Sequence, residues 1–505
     1  MRIDKKPLLL QSLAMMVLLL VLVMSAHAQE RKEERVEADP GQSGDLDKLK
    51  SKLEQLEVLV ETQQRALAEM QKRLDEGEGK ARTAALVLPA GLEGVTGEAR
   101  PASLETGQTP AGAAPGQEKQ KAADKPALLA GWDRNHAFLR SADGSFETQL
   151  TGYAQLDHRS YESGNHPPNT FLMRRARLAL EGKLARYFDF KIEGDFADVV
   201  GTLLRDAYVN VHRIDEFQLR FGQFRVPISQ EEIRSDAFQD FVERSMVNNL
   251  APSRSPGLMA SGVIKKGVFE YQVGAFNGRG LLGVNTTGTP ETAVRLRFNP
   301  WKNGDQFWVK GLIFGGAYTQ GRNLGNLGVR GVTESRSVNW FLPDIVNGKF
   351  NRANGELTWM LGPAAFRAEY DQVNQRRDNL GTDGQNLPGV VAKGYVAQFT
   401  YLLTGETKPE ANTVAPRRDF FGGEGGKMGI GAWELKFRYA NLQIADGTPK
   451  SNRADSIYFG PNWYLNRFVR YMLDLGFERF KDAARSPNPG DKNFFVMLSR
   501  VQFAF

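Results

Sequence analysis

The ten residues "YFDFKIEGDF", Tyr187 to Phe196, decide how the rest of the chain is read. Phe188, Phe190, Ile192, Gly194 and Phe196 alternate with Asp189, Lys191, Glu193 and Asp195. Successive strand residues point to opposite faces, so an extended chain here has one aromatic face and one charged face. A soluble sandwich does not readily accept four successive charges facing its core. If the charges meet water, the aromatic face meets something apolar, either a second sheet or lipid. This segment alone leaves both open.

The number of such segments separates the two. About sixteen follow one another, beginning near Phe146, Phe171, Tyr187, Leu203, Phe217, Leu258, Val268, Thr292, Phe307, Arg352, Ala364, Gly389, Gly431, Ser456, Phe468 and Asn493. Hydrocarbon tolerates no unpaired sheet edge, and an even number of antiparallel strands closes on itself. The expected fold is therefore all-β and membrane-embedded: a 16-stranded antiparallel transmembrane β-barrel over 140–505, preceded by a coiled-coil helix. At sixteen strands the lumen holds water. The last segment, "NFFVMLSRVQFAF", turns Phe495, Met497, Val501, Phe503 and Phe505 outward and Arg500 and Gln502 inward, and must pair with the first strand near Phe146. Phe494, Val496 and Leu498 share the inward side with Arg500, and an inward loop is what could cover them.

The N-terminus reads as an export address. Arg2, Lys5 and Lys6 precede an apolar run from Leu8 to Met24, and the small-residue site Ala26-His27-Ala28 follows. This predicts a signal peptide over 1–28; the competing membrane anchor fits poorly with a cleavage site followed at once by charge. Its removal takes Arg2, Lys5, Lys6 and Asp4 and lowers the formal charge from +6 to +4. So mild an excess, without a basic helix, excludes nucleic acid as a partner. With no cysteine, disulfides, thiolate metal sites and a lipoprotein acceptor are excluded too.

From Leu46 the apolar positions recur every 3.5 residues through Leu49, Leu53, Leu56, Val60, Leu67, Met70 and Leu74, with Gln63 the single polar interruption. A lone amphipathic helix would bury a broader stripe, so 44–76 is expected to be a coiled-coil stalk, which implies an oligomer. Residues 77–135, with stretches such as "TGQTPAGAAPGQEKQKAADKP", have the composition of a flexible linker.

Between the fifth and sixth segments lies "PISQEEIRSDAFQDFVERSMVNNLAPSRSP", residues 227–256. It is too long for a turn, and Ile233, Phe238 and Phe241 suit a short helix that folds inward as a constriction; the plainer reading is an external loop. The glycine-rich stretches "GRNLGNLGVRG" (321–331) and "GGEGG" (422–426) resemble phosphate cradles in composition only and read as mobile surface loops.

Eight stretches in order resemble the phosphate-selective porin O/P family of outer-membrane proteins. They are "FLMRRARLALEG" (Phe171–Gly182), "LRFGQFRVPI" (Leu219–Ile228), "FVERS" (Phe241–Ser245), "AFNGRG" (Ala275–Gly280), "AEY" (Ala368–Tyr370), "YLLTGET" (Tyr401–Thr407), "GAWELKFRYA" (Gly431–Ala440) and "GPNWYLN" (Gly460–Asn466). The resemblance implies a homotrimeric sixteen-stranded porin of the bacterial outer membrane with an inward third loop. It also implies that the terminal Phe505 is read by the barrel-assembly machinery.

Alternation turns Arg175, Arg177, Arg220, Arg295, Arg297, Arg367, Arg438, Arg470 and Arg500 toward the lumen. Permanently charged, fork-shaped guanidinium groups suit an anion path. Inward arginines also brace a barrel wall, and Glu181, Glu193, Asp195, Asp206, Glu369, Glu434, Asp474 and Glu478 are available to pair with them; about half are assigned to bracing. Within the loop, Arg234, Arg244 and Arg254 stand against Glu231, Glu232, Asp236, Asp240 and Glu243, with Glu243 and Arg244 read as a loop-fixing pair. Phosphate-selective members of the resembled family carry a lysine in this loop, and 227–256 has none; Ala237, flanked by Asp236 and Asp240, stands near that position.

The leading functional expectation is a passive, water-filled porin for small hydrophilic solutes with an anion, phosphate-like preference. The alternative is a non-selective or cation-tolerant porin whose coiled coil mainly tethers the outer membrane to peptidoglycan. An enzyme is disfavoured: His136, His158, His166 and His212 show no metal-ligand spacing, and no serine sits in a nucleophile elbow. No metal or cofactor is expected.

Overall fold

The computed structural model describes residues 128–505, apart from 134–135, 163–167, 198–202, 423–425, 427, 448–451 and 483–489. The signal peptide, the stalk and most of the linker lie outside the described residues. A hairpin comes first, β1 (Leu128–Asp133) and β2 (His136–Ser141), in place of the expected end of the linker. It pairs with the start of the first barrel strand, Ala137 opposite Leu150.

Sixteen strands then close the barrel. They are β3 (Glu147–Tyr161), β4 (Thr170–Leu184), β5 (Phe188–Asp195), β6 (Leu204–Ile214), β7 (Phe217–Arg225), β8 (Arg254–Ile264), β9 (Phe269–Phe276), β10 (Glu291–Phe298) and β11 (Leu312–Leu327). After a small inward ribbon of β12 (Gly331–Val332) and β13 (Asn339–Phe341) come β14 (Ile345–Leu361), β15 (Ala364–Arg377), β16 (Leu387–Leu402), β17 (Ala432–Ala445), β18 (Asn452–Tyr464), β19 (Val469–Phe480) and β20 (Asn493–Ala504). Each is antiparallel to the next, and β20 pairs with β3 from Ala504 opposite Tyr153 to Val496 opposite Tyr161. The ring therefore has no free edge.

The aromatic face of the opening stretch points out: Phe188, Ile192 and Phe196 are 40, 54 and 57% exposed, whereas Glu193 and Asp195 are 6 and 3% exposed on the lumen side. Most connections at the rim carrying the C-terminus are short, while the opposite rim carries the longer ones. Short turns on the inner side and long loops outside are the outer-membrane pattern.

Two departures bear on the lumen. The ninth strand begins at Leu312, because Phe307–Lys310 forms one helical turn on the C-terminal rim with Phe307 and Trp308 exposed. And "GRNLGNLGVRG" is not a surface loop: Gly321–Leu327 completes β11, and Val329 and Val332 are buried where the chain turns into the barrel. The centre of "GGEGG" lies outside the described residues.

Candidate functional site

Between β7 and β8 the chain stays inside the barrel. A one-turn helix, Gln230–Ile233, starts at Ser229, whose side chain accepts from the Glu232 N–H at 3.2 Å. A 3-10 turn, Asp236–Phe238, is capped in the same way by Ser235, and a second spans Met246–Leu250. The apolar side of the loop, Phe241, Val242, Met246, Val247 and Leu250, is buried. It packs with Val329, Trp340 and Phe341 of the 328–344 segment and with inward residues of β14–β20, including Val373, Leu442 and Tyr458. Phe494, Val496 and Leu498 of the closing strand belong to this cluster, so their inward position is explained by the two loops lying over them.

The loop carboxylates turn to the wall. Asp236 meets Arg177 at 2.8 Å, Arg175 at 3.2 Å, Arg225 at 3.2 Å and also Arg244. Asp240 meets Arg367 at 2.8 Å, Lys408 at 2.8 Å and Arg234 at 3.1 Å. Glu243 meets Arg159 and Arg174 at 2.5 Å, Arg500 at 3.5 Å and Arg175 at 3.7 Å. Burial opposes charge on these three, yet the surrounding guanidinium groups and Lys408 hold all of them well below the usual carboxylate range. Glu243 and Arg244 do not pair with each other; each fixes the loop through other partners, Arg244 through Asp236 and Glu232. In the 328–344 segment the balance runs the other way: burial pushes the Glu334 carboxyl up, although Arg438 and Ser456 bond to it.

A further segment enters from the C-terminal rim between β16 and β17. The Lys408 N–H donates to the Gly362 carbonyl at 2.7 Å, and Val414 packs with Leu402, Ala432 and Tyr464. The Lys408 ammonium reaches Asp240 and Glu434, and Glu410 pairs with Arg297. Lys436 on β17 pairs with Asp474 and donates to the Asp240 carbonyl at 3.0 Å. The constriction loop has no lysine of its own, yet Lys408 and Lys436, far along the chain from Asp240, meet it. Nothing in their local sequence marks them, because the closed ring and not the spacing brings them there.

The nine inward arginines are placed as follows. Arg175 and Arg177 meet Asp236, Arg295 pairs with Glu356 at 2.5 Å, and Arg297 pairs with Glu270 at 2.9 Å. Arg367 holds Asp240, Arg438 holds Glu231 and Glu334, and Arg500 pairs with Asp157 at 2.6 Å. Arg470 donates to the Ala237 carbonyl at 2.8 Å and to Gln502 at 2.9 Å. Arg220 differs from all of these: its guanidinium lies over the rings of Tyr208 (4.4 Å) and Phe224 (5.5 Å), and among the described residues it has no carboxylate partner. Bracing thus takes more of the arginines than the expected half.

Open space lies along β5–β10, away from the apolar cluster. A cavity of about 180 Å³ between the loop and β5–β9 is lined by Lys191, Arg220, Arg225 and Arg254 against Glu193 and Asp206. A second, about 140 Å³, lies along β7–β10 with Arg295 and Arg297 against Glu270, and Gln272 lines both. Positive groups outnumber negative ones in each.

A family profile described as phosphate-selective porin O and P matches residues 149–505, nearly the whole barrel. The chain belongs to this porin family. Porin O of Pseudomonas aeruginosa is 24% identical over 423 residues, covering 73% of this chain and 90% of that protein. Among solved structures, an anion-selective porin from Comamonas acidovorans matches 71% of this chain and 99% of its own at 14% identity and TM-score 0.44. The channel DcaP of Acinetobacter baumannii covers 75% of this chain and all of its own at 12% identity and TM-score 0.45. The protein is an outer-membrane porin.

Proposed function

We propose that this porin conducts small hydrophilic solutes passively as a homotrimer and favours anions weakly, without a strong phosphate site. The observation that carries this is the fate of the loop acids. Asp236, Asp240 and Glu243 are spent on buried wall arginines, while Arg220 lines the open cavity and, among the described residues, has no ion-pair partner. An anion passing Lys191, Arg220, Arg225 and Arg254 meets fields that attract it through water, without the naked carboxylate that the loop composition suggested. Lys408 stands near the constriction but is held by Asp240 and Glu434, so it is not free to bind phosphate.

Small outward residues on the first strands, such as Gly152, Ala154, Ala176 and Ala207, support close packing of three copies along that wall. Phe505 exchanges backbone hydrogen bonds with Gly152 at 2.9 Å, which leaves the last residue at the seam where assembly machinery would meet it. A planar-bilayer reversal potential in a potassium chloride gradient tests the selectivity: the sign should report chloride as the more permeant ion. A clear potassium preference overturns the anion reading and leaves the porin assignment intact.

A further inference from the structure

The outer surface of the barrel is not uniform. Toward the rim opposite the C-terminus, six basic side chains, Arg322, Lys349, Arg376, Lys393, Arg453 and Arg479, are exposed on β11, β14, β15, β16, β18 and β19. Alternation fixes them as outward: Lys349 stands between buried Gly348 and Phe350, Lys393 between buried Ala392 and Gly394, and Arg479 between buried Glu478 and Phe480.

The register sets Arg322 directly opposite Lys349. Like charges facing each other on one side of a sheet destabilise the pairing. The bulge bounded by Asn347–Arg377 and Phe350–Gln375 brings Arg376 beside them. Lys393, Gln443 and Arg453 form one row across three strands, and Arg479 pairs in register with Asp455. Among the described residues two carboxylates answer the belt: Asp378 accepts from Arg376 and Asp455 from Arg453, both at 2.9 Å. Among the described residues Arg322, Lys349, Lys393 and Arg479 have no ion-pair partner.

Height decides what these charges meet. Exposed Tyr318, Tyr370 and Tyr395 lie one outward step or more nearer the membrane centre, where the aromatic girdle ends. Basic groups facing hydrocarbon are costly at the bilayer midplane and nearly free of cost at the interface, so the belt belongs in the headgroup layer. Along β3–β10 the outward residues toward the same rim, among them Ala176, Leu258, Ala275 and Thr292, include no exposed Lys or Arg among the described residues. The charge is confined to one side of the barrel.

We propose that this belt is a docking surface for the phosphorylated headgroup of outer-leaflet lipid, with one phosphate seated between Arg322 and Lys349. An anion there converts a repulsive cross-strand pair into two charge-assisted contacts. The site faces away from the lumen and is independent of ion selectivity.

The test uses the full-length porin in phosphatidylcholine vesicles containing a minor fraction of bis-phosphorylated lipid A or its dephosphorylated form, with bound lipid A measured by fluorescence quenching. Each surface cation contributes about 1 kcal/mol toward an anionic headgroup, so R322Q/K349Q should bind phosphorylated lipid A about thirtyfold more weakly. K393Q/R479Q should show a similar loss, which keeps the test decisive if the first variant folds poorly. Single-channel conductance should be unchanged in both. Equal binding of the two lipid forms by the unaltered porin, or binding unaffected by either double variant, overturns the proposal. Displacement of the lipid by millimolar inorganic phosphate would make the belt a free-anion site and overturn it equally.

Discussion

One half of the lumen is filled like a soluble core, and the other is lined like a channel. On the β14–β20 side, Phe241 and Met246 of the third loop and Trp340 of the 328–344 segment pack against Val373, Leu442 and Phe494 with almost no exposure. On the β5–β10 side, the inward positions are Lys191, Glu193, Asp206, Arg220 and Arg295 around open space. Both halves obey the same in-and-out alternation, so strand number alone does not set the bore. The identity of the inward residues decides whether a loop lies down on the wall or leaves water.

Breaking the third loop's anchor on the filled side should have the largest effect. Asp240→Ala leaves Arg234, Arg367 and Lys408 buried without their shared partner, and removal of one side of such a network costs about 4 kcal/mol. Urea titration in vesicles, followed by tryptophan fluorescence, should show that loss together with larger and noisier single-channel conductance. Phe494→Ala empties space under both loops and should cost about 3 kcal/mol in the same titration.

Acid should act on the third loop in one direction. Asp236 is held well below its unfolded value, so its contribution is complete above about pH 4 and is lost as pH falls through the folded value. The stability difference between the unaltered porin and Asp236→Asn should therefore stay constant from pH 5 to 8, windows set by the ordinary carboxylate range, and shrink only in strong acid. A difference that grows on acidification contradicts the pairing. The smallest effect belongs to the open half: Arg297→Gln breaks the half-exposed pairs to Glu270 and Glu410 and should cost about 0.5 kcal/mol. A cost comparable to that of Asp240→Ala would erase the distinction between the two sides.

Much of this architecture was legible along the chain. "YFDFKIEGDF" announced which face meets lipid, the terminal stretch announced the seam, and Ile233, Phe238 and Phe241 pointed to an inward loop. The stretch 321–331 was misread because glycine spacing carries no information about whether a segment turns outward or inward. Lys408 and Lys436 were missed for a different reason: a closed ring places residues far apart in the chain across one lumen, and no local period records that distance. The carboxylates of the third loop were visible as a charge count, but their direction depended on arginines from β4, β7, β15 and β20.

The central claim is that the loop acids are spent on the wall while Arg220 remains as uncompensated charge in the open half. Its most direct measurement is the reversal potential of Arg220→Glu beside that of the unaltered porin in the same potassium chloride gradient. The unaltered channel should favour chloride, and the variant should shift toward potassium without losing conductance. An unchanged reversal potential in Arg220→Glu would contradict the account.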